Sequence, residues 1–204
     1  MDEMKNTSTE AERVQLHWSQ TQEYSGDGYE TNEERVLDRR KYLAKLITDQ
    51  KPKKVLEIGC FGGYNLRQIH AIDEKIELFG FDINKGALKY AKEKLPAINT
   101  VNGSIYELEK YFKENTFDLV FTAGVLIHIP CEVIEQVTDA IASISRRNVF
   151  HAEHHGDFWK LPWKNMRWRH DFEELYRGCT VSVSEAPGAS NGFEQIIQVN
   201  LNKE

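Results

Sequence analysis

From Glu33 to Thr48 the apolar residues Val36, Leu37, Tyr42, Leu43 and Leu46 recur at steps of three and four, which gathers them on one side of a helix. The Lys51-Pro52 pair ends that helix, because proline carries no amide hydrogen and disfavours helical backbone before it. Lys54 to Gly59 is then a short β-rich run entering a glycine cluster, and Tyr64 to Ala71 returns to helical spacing. The same unit follows again: a strand over Ile76 to Phe81, a turn at Asp82-Ile83-Asn84, and a helix from Lys85 to Lys94 closed by Pro96. Further strands fit Ile98 to Val101, Phe117 to Phe121 and Asn148 to Glu153, with a strongly amphipathic helix from Cys131 to Ile144 before the last of them. Strands alternating with helices predict a parallel sheet covered by helices on both faces.

The two ends of the chain depart from that rhythm. The first dozen residues are polar and are expected to fray. After a helix near Asp171 to Tyr176, strands over Thr180 to Ser184 and Glu194 to Leu201 are separated by a Pro- and Gly-containing turn and no helix, so antiparallel pairing is expected. The predicted fold is therefore α/β: a doubly wound, mostly parallel seven-stranded sheet with an antiparallel C-terminal strand pair and helices on both faces. No internal repeat or linker interrupts it, and residues 1–204 read as a single domain. Within it, 1–50 form an N-terminal helical cap, 51–155 a ligand-binding core, and 156–204 an acceptor-side segment with the C-terminal hairpin.

Composition narrows the class further. Apolar residues at 40% and charged residues at 28% are ordinary globular values, which excludes disordered and fibrous chains. No apolar stretch approaches the ~18 residues of a membrane span, and the polar start Met1-Asp2-Glu3-Met4 does not resemble a secretory signal, so the expected address is cytoplasmic. Three cysteines, Cys60, Cys131 and Cys179, are odd in number and lack metal-type spacing, so they are expected as reduced thiols. A net charge of −6 argues against gripping duplex DNA with the whole surface.

The loop after the first strand, Glu57-Ile58-Gly59-Cys60-Phe61-Gly62-Gly63, brings backbone close to a ligand at the carboxyl end of the sheet. Two features decide what that ligand is. A carboxylate at the entrance is unsuited to pyrophosphate, and Phe61 stands where a dinucleotide fingerprint needs its second glycine. Asp82 closes the second strand, 25 positions after Glu57, where an acidic side chain accepts hydrogen bonds from two ribose hydroxyls. Together they call for an adenosine-like ligand with a positive group and no phosphates, a description that S-adenosylmethionine fits.

Val55-Leu56-Glu57-Ile58-Gly59-Cys60, Gly80-Phe81-Asp82-Ile83-Asn84, Asn102-Gly103-Ser104-Ile105 and Phe117-Asp118-Leu119-Val120 resemble, in order and spacing, the successive motifs of Rossmann-like (class I) S-adenosylmethionine-dependent methyltransferases. The likeness runs from about Lys53 to His155. Within that superfamily, Phe121 to Ile129, the Ala152-Glu153 strand end, and Trp18 with Tyr24 to Tyr29 are similar to methylases associated with pseudaminic acid biosynthesis. The resemblance implies that Glu57, Gly59, Cys60 and Gly63 surround the methionine part and that Asp82 holds the ribose. It implies further that Ile83 lies against adenine, Ser104 and Ile105 near its exocyclic amine, and Thr122 near the sulfonium. Phe61 departs from the family's glycine, so its side chain must point away from the cofactor or narrow the site.

Acceptor chemistry is expected at the carboxyl ends of the fourth and fifth strands. His128 follows the fourth, and imidazole serves as a base at neutral pH. If the fifth strand stays extended, His151, Glu153 and His155 share one face, able to pair a base with a carboxylate or to hold a metal; Glu153 is the preferred catalytic candidate, with His128 and His155, and no metal is expected. Residues 156–170 carry Trp159, Trp163 and Trp168 with a net charge of +3. Trp163 and Arg167, with Trp18 and Tyr29, are the acceptor-binding candidates, suited to a sugar ring bearing an anion.

The reading is an enzyme that methylates O or N of a small polar metabolite, a sugar or nucleotide-sugar preferred. Two alternatives stand beside it: an RNA (tRNA) methyltransferase using the basic aromatic segment on single-stranded bases, and a cofactor-binding module without turnover.

Overall fold

A computed structural model describes residues 9–20, 34–154, 167–187 and 195–203. Seven strands form one sheet: β1 (Lys54–Ile58), β2 (Glu77–Asp82), β3 (Asn99–Asn102), β4 (Phe117–Ala123), β5 (Ser145–Glu153), β6 (Thr180–Glu185) and β7 (Gln195–Asn200). Their order is β3-β2-β1-β4-β5-β7-β6. Strands β1 to β5 are parallel, and β7 runs antiparallel to both β5 and β6, so six strands share one direction. This is the doubly wound, Rossmann-like sheet expected, with the antiparallel C-terminal pair in place.

Side-chain alternation along the strands makes two cores. Val55, Leu119, Phe121, Phe150 and Ile196 pack under α2 (Glu34–Asp49), α3 (Tyr64–Ile72) and α4 (Lys85–Lys94), through Leu43, Ile47, Leu66, Ile69, Leu88 and Ala91. Leu56, Ile58, Val120, Val149 and Ile197 face α5 (Leu108–Tyr111), α6 (Ile134–Ile144) and α7 (Phe172–Leu175), through Leu108, Ile134, Val137, Ile141 and Phe172. Charged side chains at the carboxyl ends of β1, β2 and β5 are buried against this double layer, which is where a ligand site is built. Among the described residues no helix is long and apolar enough to cross a membrane.

Three boundaries differ from the sequence expectation by more than two residues. Residues 9–12, expected to fray, begin a helix, α1 (Glu10–Gln20). It opens on a capping box: the Glu12 amide donates to Thr9 Oγ1 at 3.2 Å, and the Thr9 amide donates to Glu12 Oε2 at 2.8 Å. Strand β5 starts at Ser145 instead of Asn148, because exposed Arg146 and Arg147 span an irregular step in register that hides the strand in the polarity pattern. Helix α6 starts at Ile134, three residues late, after a turn over 131–133.

Gly63, at φ +70°, stands before α3, and a Cβ there would lie 3.0 Å from Ile98 Cδ1 and 3.1 Å from Ala91 Cβ. Left-handed backbone and close approach to α4 act together, so Gly63→Ala is expected to cost about 2 kcal/mol. In urea unfolding this reads as a lower midpoint at unchanged slope.

Candidate active site

A cavity of about 530 Å³ opens where β1, β2, β4 and β5 end. Its wall is formed by the loops after those strands, by Val14, Gln15 and Trp18 of α1, and by Arg40 of α2. Gly59 lets two of these loops meet. It has φ +69°, and a Cβ there would sit 2.3 Å from Val125 Cγ2. The Gly59 and Cys60 amides donate to the Phe81 carbonyl at 2.7 and 3.2 Å, fastening the β1 loop to β2.

Glu57 is 2% exposed at the cavity wall. Asn65 Nδ2 donates to its Oε1 at 2.6 Å, while its Oε2 is buried with no hydrogen-bond partner. Burial pushes the carboxyl up to about 8, against the pull of Asn65 and of the Arg40 guanidinium. Arg40 itself lies 4.7 Å from the centre of the Tyr64 ring, and both line the cavity beside Glu57. Neither Asn65 nor Arg40 was marked by the sequence motifs. Asn65 falls on the first turn of α3 by helix geometry, and Arg40 reads only as one polar residue of an amphipathic helix.

Asp82 ties the next two loops together. The Phe61 amide donates to its Oδ2 and the Asn84 amide to its Oδ1, each at 2.8 Å. Phe61 is thereby held at φ +44°, a left-handed backbone that a non-glycine residue adopts at a cost of about 1 kcal/mol, and it forms part of the cavity wall instead of pointing away. Burial raises the Asp82 carboxyl, opposed by these amides. Asn102 Nδ2 donates to the carbonyls of Asp82 and Ile83, both at 2.9 Å, so the β3 end is stitched to the same turn. Ile83, Ser104 and Ile105 line the cavity, as does Cys60 of the β1 loop. Tyr106 joins them; its hydroxyl is buried without a partner, and burial pushes it up to about 12.

The β4 and β5 ends depart from expectation. Thr122 and Glu153, expected beside the sulfonium and the acceptor, are 0% and 1% exposed and do not line the cavity. Glu153 is turned beneath the loop after β4. Its Oε1 accepts from Thr122 Oγ1 at 2.9 Å and from the Val125 and Leu126 amides at 2.8 and 3.1 Å, and its Oε2 accepts from the Ile127 amide at 3.3 Å. Since the Thr122 hydroxyl spends its proton on Glu153, the His151 Nδ1 at 2.9 Å must donate to Thr122, and His151 Nε2 then accepts from the Tyr176 hydroxyl at 2.8 Å. Burial holds His151 neutral, down to about 3. Gly63 likewise packs against α4 and not in the wall.

Two histidines do reach the cavity, His128 and His154. His128 meets the Trp18 ring edge-on at 4.8 Å. Arg167 also lines it. The Trp168 amide donates to the Ile127 carbonyl at 2.7 Å, and His170 Nε2 bonds the Leu126 carbonyl at 2.9 Å, so the 167–170 segment is pinned to the turn carrying His128. Tyr29, His155 and Trp163 lie outside the described residues. Among the described residues no three His, Cys, Asp or Glu side chains gather as metal ligands.

Residues 55–148 match the family described as "Methyltransferase domain". No curated protein matches the chain. Magnesium protoporphyrin IX methyltransferase from Synechocystis PCC 6803, solved with bound S-adenosylmethionine, superposes with a TM-score of 0.68 at 15% identity, over 96% of this chain and 98% of that one. An O-methyltransferase family protein from Burkholderia thailandensis gives 0.65 at 10% identity, over 80% of this chain and 55% of its own, so this chain spans little more than half of it. The methyltransferase domain of a bacterial Hen1 gives 0.61 at 18%, over 81% of this chain and all of that one. At these identities the likeness is one of fold. The side chains present fit S-adenosylmethionine by their own chemistry: once ionised, the buried, unpartnered Glu57 Oε2 needs a donor, which an ammonium group supplies, and the Asp82 carboxylate, a group able to accept from hydroxyls, lines the same cavity.

Glu57 is protonated below about pH 8 in the free protein and must ionise to pair with an ammonium. Binding of S-adenosylhomocysteine at pH 7 is therefore expected to release close to one proton, and affinity to rise from pH 6 toward 8. Calorimetry in buffers of different ionisation heat reads the release, and Glu57→Gln removes it. Glu153→Gln turns an NH2 group toward backbone donors and is expected to cost about 3 kcal/mol of stability. A cavity-facing base would instead lose turnover at unchanged urea midpoint.

Proposed function

We propose that this chain is an S-adenosylmethionine-dependent methyltransferase that transfers the methyl group to O or N of a small polar metabolite, a sugar or nucleotide-sugar, in the cytoplasm. The observation that carries this reading is the buried carboxylate oxygen of Glu57 left without a partner in a cavity that also presents Asp82. S-adenosylmethionine, when bound, supplies a methyl carbon activated by a sulfonium leaving group. Glu57 holds the ammonium end with Gly59 and Cys60, and Asp82 accepts from the ribose. Ile83, Ser104 and Ile105 border the adenine. Gly63 and Thr122 act one step back, through the loops they shape.

Methyl transfer is an in-line displacement, so alignment is the larger part of the work. A hydroxyl acceptor also needs a base. His128 is the assigned base because it lines the cavity, whereas Glu153 sits under the loop and positions His128 through the amides of residues 125–127. Trp18 and Arg167 border the acceptor, with Tyr29, Trp163 and His155 assigned to the same end from their place in the chain. We assign residues 1–50, 51–155 and 156–204 to cap, cofactor core and acceptor segment of one domain.

Calorimetry with S-adenosylhomocysteine against NAD tests the cofactor. Binding of the first alone is expected, with a thermal stabilisation of about 2.7 kcal/mol at a hundred times Kd, and Asp82→Ala is expected to weaken it at least tenfold. Preference for NAD refutes the reading. Labelled methyl donor offered with sugars, nucleotide-sugars and tRNA then identifies the acceptor: label in tRNA alone refutes the sugar assignment, and label in none refutes turnover on these classes.

A further inference from the structure

Resting on the methyltransferase reading, we infer that the acceptor carries an oxyanion, a carboxylate or a phosphate, held between the Trp18 indole N–H and the Arg167 guanidinium. Trp18 Nε1 is a buried donor with no hydrogen-bond partner, on a side chain that lines the cavity. An indole nitrogen donates only, so its missing partner is an acceptor atom. The stranded donor is not an accident of a floppy helix. The Trp18 ring is set against His128, at 4.8 Å and 61° between planes, and Asn84 Nδ2 reaches the Trp18 carbonyl at 3.5 Å, so α1 is fastened at both ends of the cavity.

Arg167 reaches the wall of the same cavity by an independent route. Its neighbour Trp168 is bonded to Ile127, one residue before His128. The ionisable side chains of the wall are thereby segregated. Glu57 and Asp82 line it at the ends of β1 and β2, together with Arg40. At the ends of β4 and β5 the described ionisable lining residues are His128, His154 and Arg167, while Glu153, the one carboxylate there among the described residues, is buried beneath the loop and already accepts four hydrogen bonds. An end of the cavity that offers a fixed N–H, a guanidinium and imidazoles, with no facing carboxylate among the described residues, selects a group that accepts hydrogen bonds and bears negative charge.

The test follows the Trp18 indole N–H resonance in the 15N-labelled full chain saturated with S-adenosylhomocysteine, assigned with Trp18→Phe. Glucuronate, glucose 1-phosphate and glucose are titrated in turn. The expected result is a saturable shift with one or both anionic sugars and none with glucose, and an apparent Kd raised at least fivefold by Arg167→Gln and largely restored by Arg167→Lys. Response to glucuronate alone names a carboxylate, and to the phosphate ester alone a phosphate. No shift with either anion, an equal shift with glucose, or an Arg167→Gln protein that binds unchanged overturns the inference. If S-adenosylhomocysteine itself fails to bind in calorimetry, the methyltransferase reading falls and this inference with it; if it binds and the indole is silent, only the inference falls.

Discussion

Three carboxylates are buried where the parallel strands end, and an ionised carboxylate in such a place must be matched by donors. Asp82 is matched by two loop amides, and Glu153 by three amides and a hydroxyl. Glu57 is matched on one oxygen only. The first two are therefore joints of the scaffold: Asp82 locks the β1 loop to the β2 turn, and Glu153 locks the β4 loop to β5. The third is a vacancy in the electrostatics, and burial raises its carboxyl to about 8 until a positive group arrives. Without the two satisfied joints the loops would not enclose a cavity, and the unsatisfied one would open to water and lose its selectivity.

The rest of the enclosure is assembled from elements outside the strand-helix core. Helix α1 places Trp18 against His128, and the 167–170 segment places Arg167 beside the same turn. Both contacts converge on residues 126–128, the turn that Glu153 holds by its amides. Loop order, acceptor-side side chains and the His151–Thr122 relay thus share one buried anchor. Glu153 reaches the β1 loop as well, because the Val125 amide it holds belongs to the residue that packs against Gly59.

Strand and helix order was legible because β1, β2 and β4 are short apolar, β-rich runs buried on both faces of a parallel sheet, and the three-and-four spacing of α2, α3 and α6 survives in the chain as written. That Glu57 and Asp82 meet at one cavity was legible from position, since both stand at the carboxyl ends of neighbouring parallel strands. Other features were not. Glu153 looked like an exposed catalytic carboxylate because alternation says which face a side chain takes but not whether the facing loop folds back over it. Helix α1 was signalled by Thr9-Glu10-Ala11-Glu12, whose capping-box spacing is real but is easily lost in a polar run with one buried residue, Val14. Arg40 and Tyr106 enter the site from helix faces set by tertiary packing, which no local pattern reports.

Keeping Glu153 out of the cavity has a consequence for rate. In a displacement at a sulfonium, positive charge on sulfur disappears as the methyl group moves, so a carboxylate facing that point would bind the starting state more tightly than the transition state and raise the barrier. In the proposed reading the imidazole of His128, which lines the cavity, carries no carboxylate charge to that point and would take the proton of a hydroxyl acceptor. A guanidinium at Arg167, on the same proposed reading, would favour a negatively charged acceptor. Under the proposed reading, Glu57 and Asp82, with Arg40 beside them, would face the ammonium and ribose of the cofactor, whose charge does not change in the reaction, and no described carboxylate would line the cavity where charge is lost.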